Sequence, residues 1–192
     1  MGAPLAGRRF WVIVVSMRAC AALPLALLLC AMNTTLKAEP LKVGDQAPDV
    51  TGITETGAAL HFADVYKAQT YTLVYFFPKA DTPGCTAQGC SLRDAYADLA
   101  AKGVAILGVS HDDAAAQKAF KEKYHFPFTL IADRDQAVVK AFGVPDLPIP
   151  MMHLATRQAY LIKGGRIVWA DYKAKTKQQA EDVLNVIASL GN

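Results

Sequence analysis

Three apolar runs stand out along the chain: Tyr71–Phe77, Val104–Val109 and Phe128–Ala132. Each is rich in β-branched and aromatic residues and lacks polar alternation, which predicts strands buried on both faces. Helical spacing of apolar residues fills the gaps between them, over Thr86–Ala101 and Asp113–Tyr124. The second of these opens on Asp112-Asp113 and closes on lysine and histidine, an arrangement that suits the helix dipole. A proline-rich loop follows from Val144 to Ala155. Gln158–Ile162 and Arg166–Ala170 then flank Gly164-Gly165, which predicts a two-residue hairpin. Thr176–Leu190 closes the chain as an amphipathic helix, with Ala180, Val183, Leu184, Ile187 and Ala188 on one face. This succession predicts an α/β domain, a central mixed sheet with helices on both faces.

One apolar run does not belong to that pattern. Ala19–Met32 is uncharged, sits behind Arg18 and is followed by the polar Asn33-Thr34-Thr35. An apolar stretch of roughly 7–15 residues behind a positive charge predicts a secretory signal peptide. It is short for a membrane span. Ala38 is a small residue suited to cleavage, and counting from Met17 gives the segment an ordinary signal length. Residues 1–38 are therefore expected to be a signal peptide, with a possible true start at Met17, and 39–192 the folded domain. Export, to a bacterial periplasm, follows as an expectation. Arg8-Arg9 as a twin-arginine signal and Leu28-Leu29-Cys30 as a lipoprotein signal both fit poorly, and Arg18 and Pro24 interrupt any anchor over Phe10–Met32.

Separating the leader changes how the composition reads. The chain of 192 residues has 20 Lys plus Arg against 17 Asp plus Glu, a formal +3 that could point to an acidic partner. The first 38 residues hold Arg8, Arg9, Arg18 and Lys37 and no acidic residue, so the remainder carries 16 basic against 17 acidic residues. No nucleic-acid partner is expected of a domain so balanced. Cys20 and Cys30 also fall in the leader, which leaves Cys85 and Cys90 for the domain.

Those two cysteines lie in Pro78-Lys79-Ala80-Asp81-Thr82-Pro83-Gly84-Cys85-Thr86-Ala87-Gln88-Gly89-Cys90, directly after the first buried strand. Carboxyl ends of strands in open α/β sheets are where ligands bind. Thr82 precedes a proline and is pushed to the extended conformation of an N-cap; Pro83 then fits the first helical position. Cys85 falls in the first turn, where unpaired backbone N–H groups and the helix dipole favour thiolate over thiol. That placement predicts a nucleophile rather than an inert buried cysteine. Cys90 is five residues on, and in a regular helix the two Cα atoms are roughly 8.5 Å apart and the side chains about 140° apart in rotation. A disulfide needs Cα atoms within about 7 Å. A Cys85–Cys90 bridge therefore requires local unwinding, which Gly84 and Gly89 make less costly.

Pro78, Thr82 and Cys85 together resemble the Pro-x-x-x-Thr-x-x-Cys signature of peroxiredoxins. The continuation Cys85-Thr-Ala-Gln-Gly-Cys90-Ser-Leu-Arg-Asp is similar to the PrxQ, or bacterioferritin comigratory protein, subfamily. Val43–Asp49 resembles the family's opening and Ala155–Ile162 its arginine-bearing strand. The resemblance implies a thioredoxin-like fold and thiol-dependent reduction of hydrogen peroxide and organic hydroperoxides. It makes Cys85 the attacking cysteine and Cys90 the resolving one, closing an intramolecular disulfide of the atypical two-cysteine type. Thr82 would orient thiolate and peroxide, Arg157 would stabilise the developing charge, and Pro78 with Pro83 would shape the pocket. It further implies a thioredoxin or thioredoxin-like reductant, a monomer, and no cofactor, metal or stable membrane association after cleavage. Val144–Leu154, Gln88 and Gly89 depart from the subfamily's usual residues.

Two other functions fit a thioredoxin-like chain in an oxidising compartment. A thiol–disulfide oxidoreductase would use Cys-x-x-Cys, a closer spacing than this one. A copper-handling protein would pair two cysteines with soft or imidazole donors, for which Met151, Met152 and His153 are candidates. His61, His111 and His125 are scattered and are expected to be surface or structural.

Overall fold

A computed structural model describes Gly2 and residues 39–191. The expected signal peptide, with its cleavage site and the two leader cysteines, lies outside the described residues. In chain order the elements are β1 (Thr51–Thr54), β2 (Ala59–His61), α1 (Phe62–Ala68), β3 (Tyr71–Phe76), α2 (Pro83–Asp94), α3 (Tyr96–Ala101) and β4 (Val104–Ser110). Then follow α4 (Ala114–Tyr124), β5 (Thr129–Ala132), α5 (Ala137–Ala141), β6 (Gln158–Lys163), β7 (Arg166–Asp171) and α6 (Gln179–Leu190). The seven strands form one sheet in the order β2-β1-β5-β4-β3-β6-β7. β3, β4 and β5 are parallel, while β1, β6 and β7 join antiparallel to their neighbours. The expected mixed sheet is present.

Alternation along the central strands divides the interior in two. Leu73, Tyr75 and Phe77 of the β3 segment, with Ile106 and Leu130, face a core shared with Leu92, Leu99, Phe120 and Val183 of the helices. Val74, Phe76, Leu107, Val109 and Ile131 face the other, with Phe62, Val138 and Phe142. Both faces of β3 are therefore covered, as its unbroken apolar sequence demands. The outer edge of β7 is not left open. Gly44 and Ala47 donate backbone hydrogen bonds of 2.8 Å to Ile167 and Gly165, so the segment just before β1 caps the sheet edge.

Where the structure departs from the sequence pattern, the cause is tertiary. The helix after β3 starts at Pro83 with Thr82 as N-cap, as the local sequence predicts, but the apolar pattern expected to run on to Ala101 is broken at Ala95 into α2 and α3. No glycine or proline marks that break. β1, β2, α1 and α5 were not foreseen, being three to seven residues long. α5 is held by a distant cap: buried Asp133 accepts from the backbone N–H groups of Val138 and Val139 at 2.9 and 2.8 Å. On α6, which begins at Gln179 rather than Thr176, Ala188 is exposed, and buried Gln179 joins Ala180, Val183 and Ile187 on the inner face.

Gly108 of β4 has a steric reason for its identity. A Cβ there would lie 2.6 Å from the Tyr75 ring and hydroxyl and 2.7 Å from Leu130. Gly108→Ala is expected to destabilise the fold by about 1–3 kcal/mol through overpacking, read as a lower urea midpoint; an unchanged midpoint contradicts this packing.

Candidate active site

β3 ends at Phe76 and delivers the loop Phe77–Thr82 to the carboxyl edge of the sheet. Two anchors shape that loop. Asp112, just beyond β4, accepts from Ala80 N and from the Ser110 hydroxyl, each at 2.7 Å. Asp81 adopts a positive φ of 59°, rare for a non-glycine residue. Its carboxylate is gripped by Lys123 at 2.7 and 2.9 Å and by the Tyr124 hydroxyl at 2.7 Å. Of the Asp112-Asp113 pair, only Asp113 caps α4, accepting from Ala116 N at 2.9 Å. Its neighbour serves the site instead.

Thr82 stands at the N-cap of α2 with extended φ and ψ of −91° and 153°, and Pro83 at the first helical position. The threonine hydroxyl does not cap the helix. It donates to Lys79 O at 3.0 Å, closing the loop on itself. Cys85 follows in the first turn and is 2% exposed. Cys90, half-buried, lies further along the same unbroken helix, and both thiols are free. Pro78, in the loop before the helix, is half-buried, whereas Pro83 is exposed.

Arg157 arrives from the other side of the sheet edge. β6 runs antiparallel to β3 with Gln158 opposite Phe76. The residue before β6 therefore stands where β3 ends. Its Nη2 donates to Cys85 Sγ at 3.4 Å, and its Nη1 donates to Gln88 Oε1. A Cβ on Gly84 would lie 3.2 Å from Arg157 Nη2, so this glycine leaves room for the guanidinium. Gly89 likewise admits close packing, since a Cβ there would lie 2.5 Å from the Phe126 ring. Both glycines thus have packing roles beside any effect on unwinding.

Beneath the helix, the Tyr75 hydroxyl is buried without a hydrogen-bond partner among the described residues. Burial first, and then the adjacent Cys85, push its pKa far up, so it stays a neutral phenol. The structure thus joins Arg157 to Cys85, sets Thr82 at the N-cap of the helix that carries both cysteines, and leaves Pro78 in the loop before it. It adds Gln88, Asp112, Asp81 and Tyr75. Gln88 was visible only as a departure from a pattern, and the others carried no signal beyond belonging to a buried strand or a loop.

The histidines are structural or peripheral. His61 bonds Thr51 at 2.9 Å, His111 donates to the His153 carbonyl at 2.9 Å, and His153 bonds Asp146 at 3.0 Å. Among the described residues, no group of three or more His, Cys, Asp or Glu side chains is arranged to hold a metal ion. Met151 and Met152 are exposed in the proline-rich loop.

Comparison with known proteins places the chain in a family. The AhpC/TSA family model matches residues 43–170. The chain belongs to the AhpC/TSA family. A Coxiella burnetii protein whose name includes peroxiredoxin bcp is 41% identical over 104 residues, covering 54% of this chain and 68% of that protein. The chloroplastic peroxiredoxin Q of Oryza sativa subsp. indica is 36% identical over 150 residues, covering 77% of this chain and 67% of the rice protein. Other curated relatives are matched over little more than half their length, 52–58% in several cases. Among solved structures, the bacterioferritin comigratory protein of Xanthomonas campestris, described for its alkyl peroxide reduction activity, superposes with a TM-score of 0.70 at 26% identity. That match covers 79% of this chain and all of the other. The α/β sheet of this AhpC/TSA-family protein is thus the thioredoxin-like fold of the peroxiredoxins.

The Asp81 clamp makes the loop sensitive to acid. Hydrogen bonds from Lys123, then Tyr124, hold the Asp81 carboxyl below its ordinary range. A carboxylate with a depressed folded-state pKa contributes stability above the unfolded pKa of about 3.9 and loses it as pH falls through the folded value. Asp81→Asn should therefore flatten the acid limb of a denaturant-midpoint profile below about pH 4, while an unaltered limb would show that the clamp carries no such linkage.

Proposed function

We propose that this protein is a thiol-dependent peroxidase. The observation that carries the proposal is the contact of Arg157 Nη2 with Cys85 Sγ at 3.4 Å, at the first turn of α2. The guanidinium and the helix N-terminus both turn N–H donors and positive charge toward the sulfur that attacks. The Cys85 thiolate forms an S–O bond to one peroxide oxygen while the O–O bond breaks. The sulfur is oxidised to a sulfenic acid, and the departing oxygen takes a proton and leaves as water or an alcohol. Arg157, with five fixed donors, offsets the negative charge that builds on the leaving oxygen. Thr82 would orient the thiolate and peroxide, and Pro78 would shape the pocket, as the family resemblance implies. The Cys90 thiolate then attacks the sulfenic sulfur, an S–S bond forms, and hydroxide leaves as water. An external dithiol reduces that disulfide by exchange and is itself oxidised.

The finer identification is an enzyme of the PrxQ type that acts as a monomer, takes hydrogen peroxide and organic hydroperoxides, and is recycled by a thioredoxin-like dithiol. Support comes from the five-residue cysteine spacing and from the names of the relatives. Export rests on the basic, apolar leader alone. For an exported enzyme the reductant would itself have to be an exported thioredoxin-like protein, because the common thioredoxin is cytoplasmic. The thiol–disulfide oxidoreductase and copper-handling functions are not favoured, since neither requires an arginine on the first cysteine.

Peroxide consumption by residues 39–192 with a dithiol reductant is expected to vanish in Cys85→Ser. In Cys90→Ser one turnover should survive, stopping at the sulfenic acid, and retained turnover in Cys85→Ser refutes the assignment. Arg157→Met is expected to slow peroxide oxidation of Cys85 roughly a hundredfold, the scale of losing one transition-state donor, and unchanged rates would remove Arg157 from the site. For export, the amino terminus of the protein recovered from a periplasmic fraction should begin near Glu39; an intact leader on cytoplasmic protein would sink that expectation.

A further inference from the structure

Three polar side chains run in a line from the closing helix to the reactive sulfur. Gln88 Nε2 donates to Gln179 Oε1, Gln88 Oε1 accepts from Arg157 Nη1, and Arg157 Nη2 donates to Cys85 Sγ. The two glutamines are among the most enclosed polar residues of the protein, 0% and 1% exposed. A primary amide has one acceptor end and one donor end. A guanidinium has donors only, so Arg157 takes the Gln88 oxygen and leaves the Gln88 donor end facing Gln179. Were the amide turned over, N–H would face N–H, and the guanidinium would lose the partner that fixes its plane. The Gln179 oxygen is then the acceptor that satisfies the buried donor end of Gln88.

From these contacts we infer that Gln179 is a positioning residue for the peroxidase reaction, acting through Gln88 on Arg157, and that it also latches α2 in its folded form. The inference rests on the peroxidase assignment made above. Its second half follows from where Gln88 lies. The residue stands between Cys85 and Cys90, inside the stretch that must unwind before the two sulfurs can meet. Unwinding that stretch pulls Gln88 off Gln179 and off Arg157. α6 has one further polar tie to α2, from Ala180 N to the Ser91 hydroxyl at 3.3 Å. The start of α6 therefore holds the part of α2 that bears the resolving cysteine, and it holds it only while the helix is wound. One buried contact serves both steps in opposite senses. It favours oxidation of Cys85 by aligning Arg157, and it opposes disulfide closure by stabilising the wound helix.

Opposite effects on two steps give a signature that a merely structural residue lacks. Gln179→Met keeps the bulk of the side chain and removes the acceptor. Rapid-quench mass spectrometry of the reduced protein with hydrogen peroxide separates the peroxide-dependent oxidation of Cys85 from the peroxide-independent closure to the disulfide. In Gln179→Met, oxidation is expected to slow roughly three- to tenfold, the scale of one buried hydrogen bond, and closure to accelerate. Overoxidation to the sulfinic acid at high peroxide should fall accordingly. The effects of Gln179→Met and Gln88→Met on oxidation should not multiply in the double variant, because they break one chain of contacts.

If Gln179→Met does not fold, Gln179→Asn, which keeps the amide but withdraws it by one methylene, carries the same expectation. Unchanged oxidation and closure in a folded variant overturn the inference, as do two independent, multiplying losses. If wild-type protein fails to consume peroxide in the same assay, the peroxidase assignment itself fails.

Discussion

Cys85 and Cys90 are held apart by the helix that carries them both, and most of the site's design follows from that separation. An α-helix fixes residues five apart at roughly 8.5 Å between Cα atoms, beyond the reach of a disulfide. While α2 is wound, Cys85 is therefore reserved for an external oxidant. The same winding brings the N-terminal N–H groups of α2 to the turn that holds Cys85 and sets Gln88 beside Arg157. Closing the disulfide means giving up all three at once. On the proposed mechanism the enzyme would alternate between a wound form suited to attack on peroxide and an unwound form suited to resolution.

The sheet makes the wound form specific. β3 brings its loop to the carboxyl edge, and antiparallel β6 starts at the same level, so residues 72 positions apart in sequence meet at Cys85 and Arg157. Neither strand can slip, because a shift of one residue would turn its apolar side chains from one filled core into the other. Asp112 and the Asp81–Lys123–Tyr124 clamp then hold the loop against elements that need not move when α2 does. On the proposed mechanism, local unwinding would be confined to a helix start with its supports left standing.

The sequence made the central strands legible because they are buried on both faces and read as continuous apolar runs. It made Thr82, Pro83 and Cys85 legible because N-cap chemistry is local. Arg157 could be nominated only through resemblance, since nothing in its own neighbourhood separates a catalytic arginine from a solvated one. Gln88 and Gln179 show where such reading ends. Each glutamine looks solvated along the chain, and only the packing of α6 on α2 buries the pair against one another. Gly84 and Gly89 carried a signal that was read for helix flexibility, whereas the structure also gives each a neighbour that a Cβ would strike. The break at Ala95 was invisible because alanine has no conformational preference against a helix.

The central claim is that oxidation converts a wound α2 into an unwound one bridged by Cys85 and Cys90. Amide hydrogen exchange over residues 83–94, measured by mass spectrometry before and after one equivalent of peroxide and paired with peptide mapping of the disulfide, tests it most directly. The account predicts a Cys85–Cys90 linkage accompanied by loss of protection within this segment, while β3 and β6 stay protected. A linkage formed with α2 still fully protected, or a peroxide-oxidised protein in which the two cysteines are never joined, would contradict it.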